Sequence, residues 1–154
     1  MNMKERLNNY IELNKEIDYE ITRLEQYAAK IQSIRSPAYN DLPKAPYLYD
    51  RIGEMIVRKE EIESGLHELM KQRDGERLFI ISLVARLSKP EYKAVVLLRY
   101  IDLKGWNEVI IDLFGDNADF DINYDNYKQR MFRHHKKALS EMDQMTDKEV
   151  KEDE

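Results

Sequence analysis

Lys128, Arg130, Arg133, Lys136 and Lys137 crowd into the stretch YKQRMFRHHKKALSEM, residues 127 to 142. A guanidinium is a planar fork of N–H donors that matches phosphate oxygens or the O6 and N7 atoms of guanine, and a glutamine such as Gln129 can bond adenine in the same bidentate way. A lysine ammonium acts on phosphate as a point charge. These residue types on one helix therefore point to polyanion binding. Gln129, Arg130, Arg133 and Lys137 are the candidates for base edges, and Lys128 and Lys136 those for phosphates. The competing reading is the solvated charged face that any surface helix carries.

The segment just before it has the opposite sign. GDNADFDINYD places Asp116, Asp119, Asp121 and Asp125 where they would repel the same polyanion. Asp119, Asp121, Asn123 and Asp125 alternate like the start of a calcium loop, but Tyr124 stands where the glycine is required and Arg130 where the closing glutamate is required. An Asx-rich turn capping the next helix is expected instead. His134 and His135 are neighbours, pointing about 100° apart on a helix, so they do not form a metal pair. The chain has no cysteine, and neither a glycine-rich phosphate loop nor a nucleophile elbow can be found in it. No enzyme, metal or cofactor is expected from these residues.

The elements that would position the basic stretch are helical. Charged residues make up 36% of the 154 positions and apolar ones 42%, while five Gly and four Pro supply little turn chemistry for an all-β fold. The spacing predicts a long helix over residues 3–35, with Leu7, Tyr10, Asn14, Ile17, Ile21, Leu24, Ala28 and Ile31 recurring every three or four positions as a coiled-coil seam. Leu7, Asn14, Ile17, Ile21 and Leu24 are the candidate oligomerisation residues, Asn14 as the polar a position that would fix register in a homodimer. The alternative is that this face packs on the chain's own second helix. SPAYNDLPKAPYLYD holds three prolines and is expected as the main loop. Periodicity resumes from Leu48 to about Gln72, and Gly75 is expected to end that helix as a left-handed cap. Two such helices predict an antiparallel hairpin.

Shorter helices follow: ERLFIISLVARL, then SKPEYKAVVLLRYI with Ser88 and Glu91 in capping-box spacing, then GWNEVIIDLF, then the basic helix to about Met142. On that last helix Tyr127, Met131, His134, Ala138 and Met142 fall at core spacing. The expected organisation is a helical hairpin or oligomerisation region at 1–74, a helical domain at 75–142, and an acidic disordered tail at 143–154. That tail carries six acids and two lysines. With no apolar run near the ~20 residues of a membrane span, no membrane partner and a cytoplasmic location are expected.

The segments LSKPEYKAVVLLRYIDLKGWNEVIIDLFG and MFRHHKKALSEM resemble region 4 of bacterial sigma factors. The resemblance rests on Leu98-Arg99-Tyr100, on Trp106 with Glu108 and Val109, and on His134 or His135 leading to Ala138-Leu139. Within that group the chain is most similar to phage and prophage proteins of Gram-positive bacteria related to ArpU-like late transcription regulators, whose D-x-P loop is echoed by Asp41-Leu42-Pro43. The resemblance implies an all-α fold with a helix-turn-helix, duplex DNA as partner, transcription regulation as function and RNA polymerase as a further contact. Two features depart from the pattern. Ile110 replaces a small residue, which predicts a looser approach of the two motif helices, and the turn is stretched by the aspartate loop. A helical adaptor or sigma mimic that binds a protein partner is the alternative function.

Overall fold

The computed structural model describes residues 1–34 and 46–153, and among these every regular element is helical. The helices are α1 (Met3–Ile34), α2 (Pro46–Ala85), α3 (Pro90–Val96), α4 (Trp106–Phe114) and α5 (Tyr124–Glu152), with α3 running on into a π-helical turn, Leu97–Ile101. The Asp41-Leu42-Pro43 element lies outside the described residues. No described helix is long and apolar enough to cross a membrane.

The chain divides into two compact units: Met1–Ile11 with Gly75–Glu154, and Glu12–Asp74. The first takes in the start of α1, which the sequence assigned wholly to the hairpin region. Reciprocal bonds cap that start. Asn2 Oδ1 accepts from Glu5 N at 2.9 Å, and Glu5 Oε2 accepts from Asn2 N at 3.3 Å. Met3, Leu7 and Tyr10 then join Ile80, Leu83 and Val84 of α2, Tyr92 and Val96 of α3, and Ala138, Leu139 and Met142 of α5 in one core cluster. Arg6 closes its edge with a bidentate pair to Glu76, both N···O distances 2.9 Å, and lies over the Phe79 ring.

In the second unit Ile17, Ile31, Ile62 and Leu66 are the buried apolar residues among those described. Glu16, Glu20 and Arg23 of α1 share an open groove of about 590 Å³ with Arg58, Glu61 and Gly65 of α2. A hydrogen bond from Arg58 lowers the Tyr27 hydroxyl pKa. Along the α1 seam, Leu7 and Ile17 are 0% and 1% exposed, and Asn14, Ile21 and Leu24 are half-buried.

Three sequence expectations are corrected. Gly75 does not end a helix, and ERLFIISLVARL does not begin one. The helix runs unbroken from Pro46 to Ala85, and no glycine takes a positive φ. The roughly 1 kcal/mol penalty of a mid-helix glycine is outweighed by the packing of Ile80, Leu83 and Val84 just beyond it. Residues 46–50, expected as loop, are helical. The segment after Met142 is helix to Glu152 rather than a disordered tail. It is held by Met145 against the core, by Asp143 Oδ1 accepting from Met3 N at 2.7 Å, and by an Arg86–Glu149 pair at 2.8 Å.

Candidate nucleic-acid interface

A second cluster seats the outer part of the first unit. Val95 of α3, Val109 and Ile110 of α4 and Met131 of α5 are buried together, with Trp106, Phe114, Phe120, Tyr124 and Tyr127 packed around them. Ile110 is 1% exposed, so its bulk fills this space. Helix α4 begins sharply because Glu108 Oε2 accepts from Gly105 N at 3.0 Å while the Gly105 carbonyl accepts from Glu108 N and Val109 N. It is joined to α5 by nine residues, 115–123.

These contacts fix which side of α5 faces outward. Met131, Ala138, Leu139 and Met142 are buried, and Lys128, Gln129, Arg130, Arg133, Lys136 and Lys137 are all exposed. Among the described residues none of those five cations lies within ion-pair distance of a carboxylate. Arg130 alone has a ring contact, its guanidinium 5.6 Å from the Phe114 centroid. The nearby aspartates do not engage them. Asp119 turns to its own segment, accepting from Asn123 Nδ2 at 2.9 Å and from the Tyr127 hydroxyl at 2.7 Å. Those bonds hold its carboxyl below the usual carboxylate range. Asn123 makes no side-chain cap to α5, so the expected Asx cap is replaced by this Asp119 bridge. Asp116, Asp121 and Asp125 are exposed beside the first turn. The surface is therefore bipolar: negative at the start of α5, positive from Lys128 to Lys137.

Two histidines divide the flanks, and the sequence periodicity chose between them badly. His134, expected in the core, is half-buried against Tyr92 of α3, with ring centroids 5.7 Å apart. His135, also half-buried, makes the closer contacts. Its Nε2 lies 2.9 Å from the Tyr100 hydroxyl, and its ring stacks on Tyr100 and meets Trp106 edge-on. Burial, with Lys4 and Arg99 adding to it, pushes the His135 pKa down to about 4. Trp106, Phe132 and Arg99 complete this flank.

The other flank holds a residue that sequence reasoning missed. Ser88, expected to cap α3, instead gives its backbone N–H to Glu141 Oε2 at 2.9 Å and its hydroxyl to Glu141 Oε1. The N-cap is Lys89, without a side-chain cap bond. Lys89 stands exposed, its ammonium 5.7 Å from the Tyr92 centroid and thus next to His134. Nothing in the local sequence marks this, because the partners lie about fifty residues downstream.

No protein-family model matches the chain, and neither a curated protein nor a solved structure matches it.

Proposed function

We propose that the chain is a phage-type transcriptional regulator that binds duplex DNA, with α4 and α5 as a helix-turn-helix and α5 as the helix that enters the major groove. In this reading Gln129, Arg130, Arg133 and Lys137 reach base edges, and Lys128 and Lys136 neutralise phosphates. Helices α1 and α2 form the N-terminal hairpin, RNA polymerase is a further partner, and the protein works in the bacterial cytoplasm. One observation carries the reading: all six candidate residues are exposed on one helix whose other side is buried, and none of the five cations is neutralised by a neighbouring carboxylate.

The test is anisotropy of a labelled duplex titrated with the full chain over a salt series. Affinity falls as salt rises, and replacing both Arg130→Ala and Arg133→Ala lowers the slope of log K against log salt by roughly two and weakens binding more than tenfold. A specific observation favours a second reading, a helical adaptor for a protein partner: Asp116, Asp121 and Asp125 stand exposed at the end of α5 that a helix-turn-helix presents to DNA. Absence of duplex binding at low salt selects the adaptor.

A further inference from the structure

The candidate face on α5 is not symmetric about the helix, and its asymmetry places the polyanion. At the first turn of α5 the exposed aspartates raise the cost of any nearby phosphate. On the α4 side Lys104 stays charged but is already paired with Asp112, so the pair presents little net charge. On the α3 side the conditions are reversed. Lys89 Nζ lies 5.7 Å from the centroid of Tyr92, whose ring packs on His134 at 5.7 Å, and His134 adjoins Arg133 and follows Arg130 by about one turn of α5, so the three cations share one locality. Lys89 comes from a different helix, and its backbone is fixed one residue away by the two bonds from Ser88 to Glu141. The acids there are Glu91, which is exposed and opposes the cations at His134, and half-buried Glu141, whose carboxylate accepts both bonds from Ser88 and is held below the usual range by them, the charge of Lys89 adding to the effect. Two acids against three cations leave the flank net positive.

We infer that Lys89 is a further phosphate-contacting residue, and that duplex DNA lies across the α3–α5 flank, between Lys89 and the Arg130–Arg133 pair, rather than across α4 and the start of α5. The occupant is set by charge: three unpaired cations on two helices, facing outward, fit the backbone of a duplex beside the groove that α5 enters. This inference rests on the DNA-binding reading.

The experiment uses the full chain and a labelled duplex of about 20 base pairs over a salt series. Lys89→Ala weakens binding roughly three- to tenfold at low salt and lowers the salt slope by about 0.9, the increment for one released counterion. Lys89→Arg restores the slope, and Lys104→Ala leaves both quantities unchanged. Both lysines are partly or fully exposed, and an unaltered far-UV circular dichroism spectrum shows the variants folded. A Lys89→Ala slope equal to wild type, with wild type binding, overturns this inference and leaves the DNA-binding reading standing. A loss at Lys104→Ala equal to that at Lys89→Ala also overturns it, because the duplex then covers the α4 side. Failure of the wild-type chain to bind at low salt overturns both.

Discussion

The two compact units solve the same problem of helix packing with unequal means. Among the described residues the unit of Met1–Ile11 and Gly75–Glu154 buries seventeen apolar side chains, and the unit of Glu12–Asp74 buries four. The first combines segments distant in sequence, with Met3, Leu83, Val96 and Met142 in one cluster. The second consists of two helix stretches whose groove is lined with glutamates and arginines. The basic face of α5 belongs to the well-packed unit. A surface that must present several side chains in register needs rigid backing, and the cluster beneath Met131 supplies it.

The comparison predicts unequal costs for equal truncations. Leu83 is 0% exposed in the large cluster and Leu66 is 8% exposed in the smaller unit. Leu83→Ala is expected to cost about 4 kcal/mol and Leu66→Ala about 2 kcal/mol, since the cost rises with the cavity that neighbours leave unfilled. Urea denaturation followed by circular dichroism reads both. Equal losses would break the contrast between the units, because Leu66 would then sit in an equally close-packed site.

A second, smaller effect is confined to the first unit. His135 has a pKa of about 4 when folded, against about 6.5 in an unfolded chain. The unfolded chain binds the proton first, so the stabilising contribution is complete above pH 6.5 and is lost as pH falls through 4. With allowance for partial solvent screening the loss is about 2 kcal/mol. His134 shifts the same way, and Glu141 and Asp119, held below the usual carboxylate range, add to the loss only in stronger acid. His135→Gln is therefore expected to flatten the stability profile between pH 6.5 and 5 more than His134→Gln. The reverse order would show that the buried flank beside Trp106 is more hydrated than its ring contacts indicate.

What could be read in the sequence follows from the range of the forces involved. Helix periodicity is local, so the all-helical class, the extent of α1 and the outward side of α5 were legible from spacings of three and four. Decisions made by distant partners were not. Gly75 has the composition of a stop signal, and only the packing of Ile80 and Leu83 onto the start of α1 carries the helix through it. Ser88 has the spacing of a cap, and Glu141 takes its bonds instead. His134 and His135 differ by one position, and which one gains the polar and edge-on ring contacts depends on where Tyr100 and Trp106 arrive. The seam through Leu7 and Ile17 shows apolar spacing, but spacing alone cannot say whether the matching surface lies in the same chain or another.

The smallest effect lies in the loop between the π-helical turn and α4. Leu103 has a φ of 56° and is 45% exposed, a conformation that a Cβ-bearing residue adopts at a cost of roughly 1–2 kcal/mol. Three bonds impose it: Asp102 N to the Leu97 carbonyl at 2.9 Å, Lys104 N to the Leu98 carbonyl at 3.1 Å, and Arg99 Nη1 to the Lys104 carbonyl at 2.9 Å. Together they deliver Gly105 and Trp106 to the start of α4. Glycine relieves the strain but adds freedom to the unfolded chain, so Leu103→Gly is expected to stabilise by only about 0.5 kcal/mol, read as a raised urea midpoint at unchanged slope. The sign is the informative part. Stabilisation means that the well-packed unit tolerates a strained residue at this junction to set the angle of α4. Destabilisation means that the half-exposed leucine side chain makes packing contacts worth more than its backbone strain, which would narrow the contrast between the two units at their surfaces.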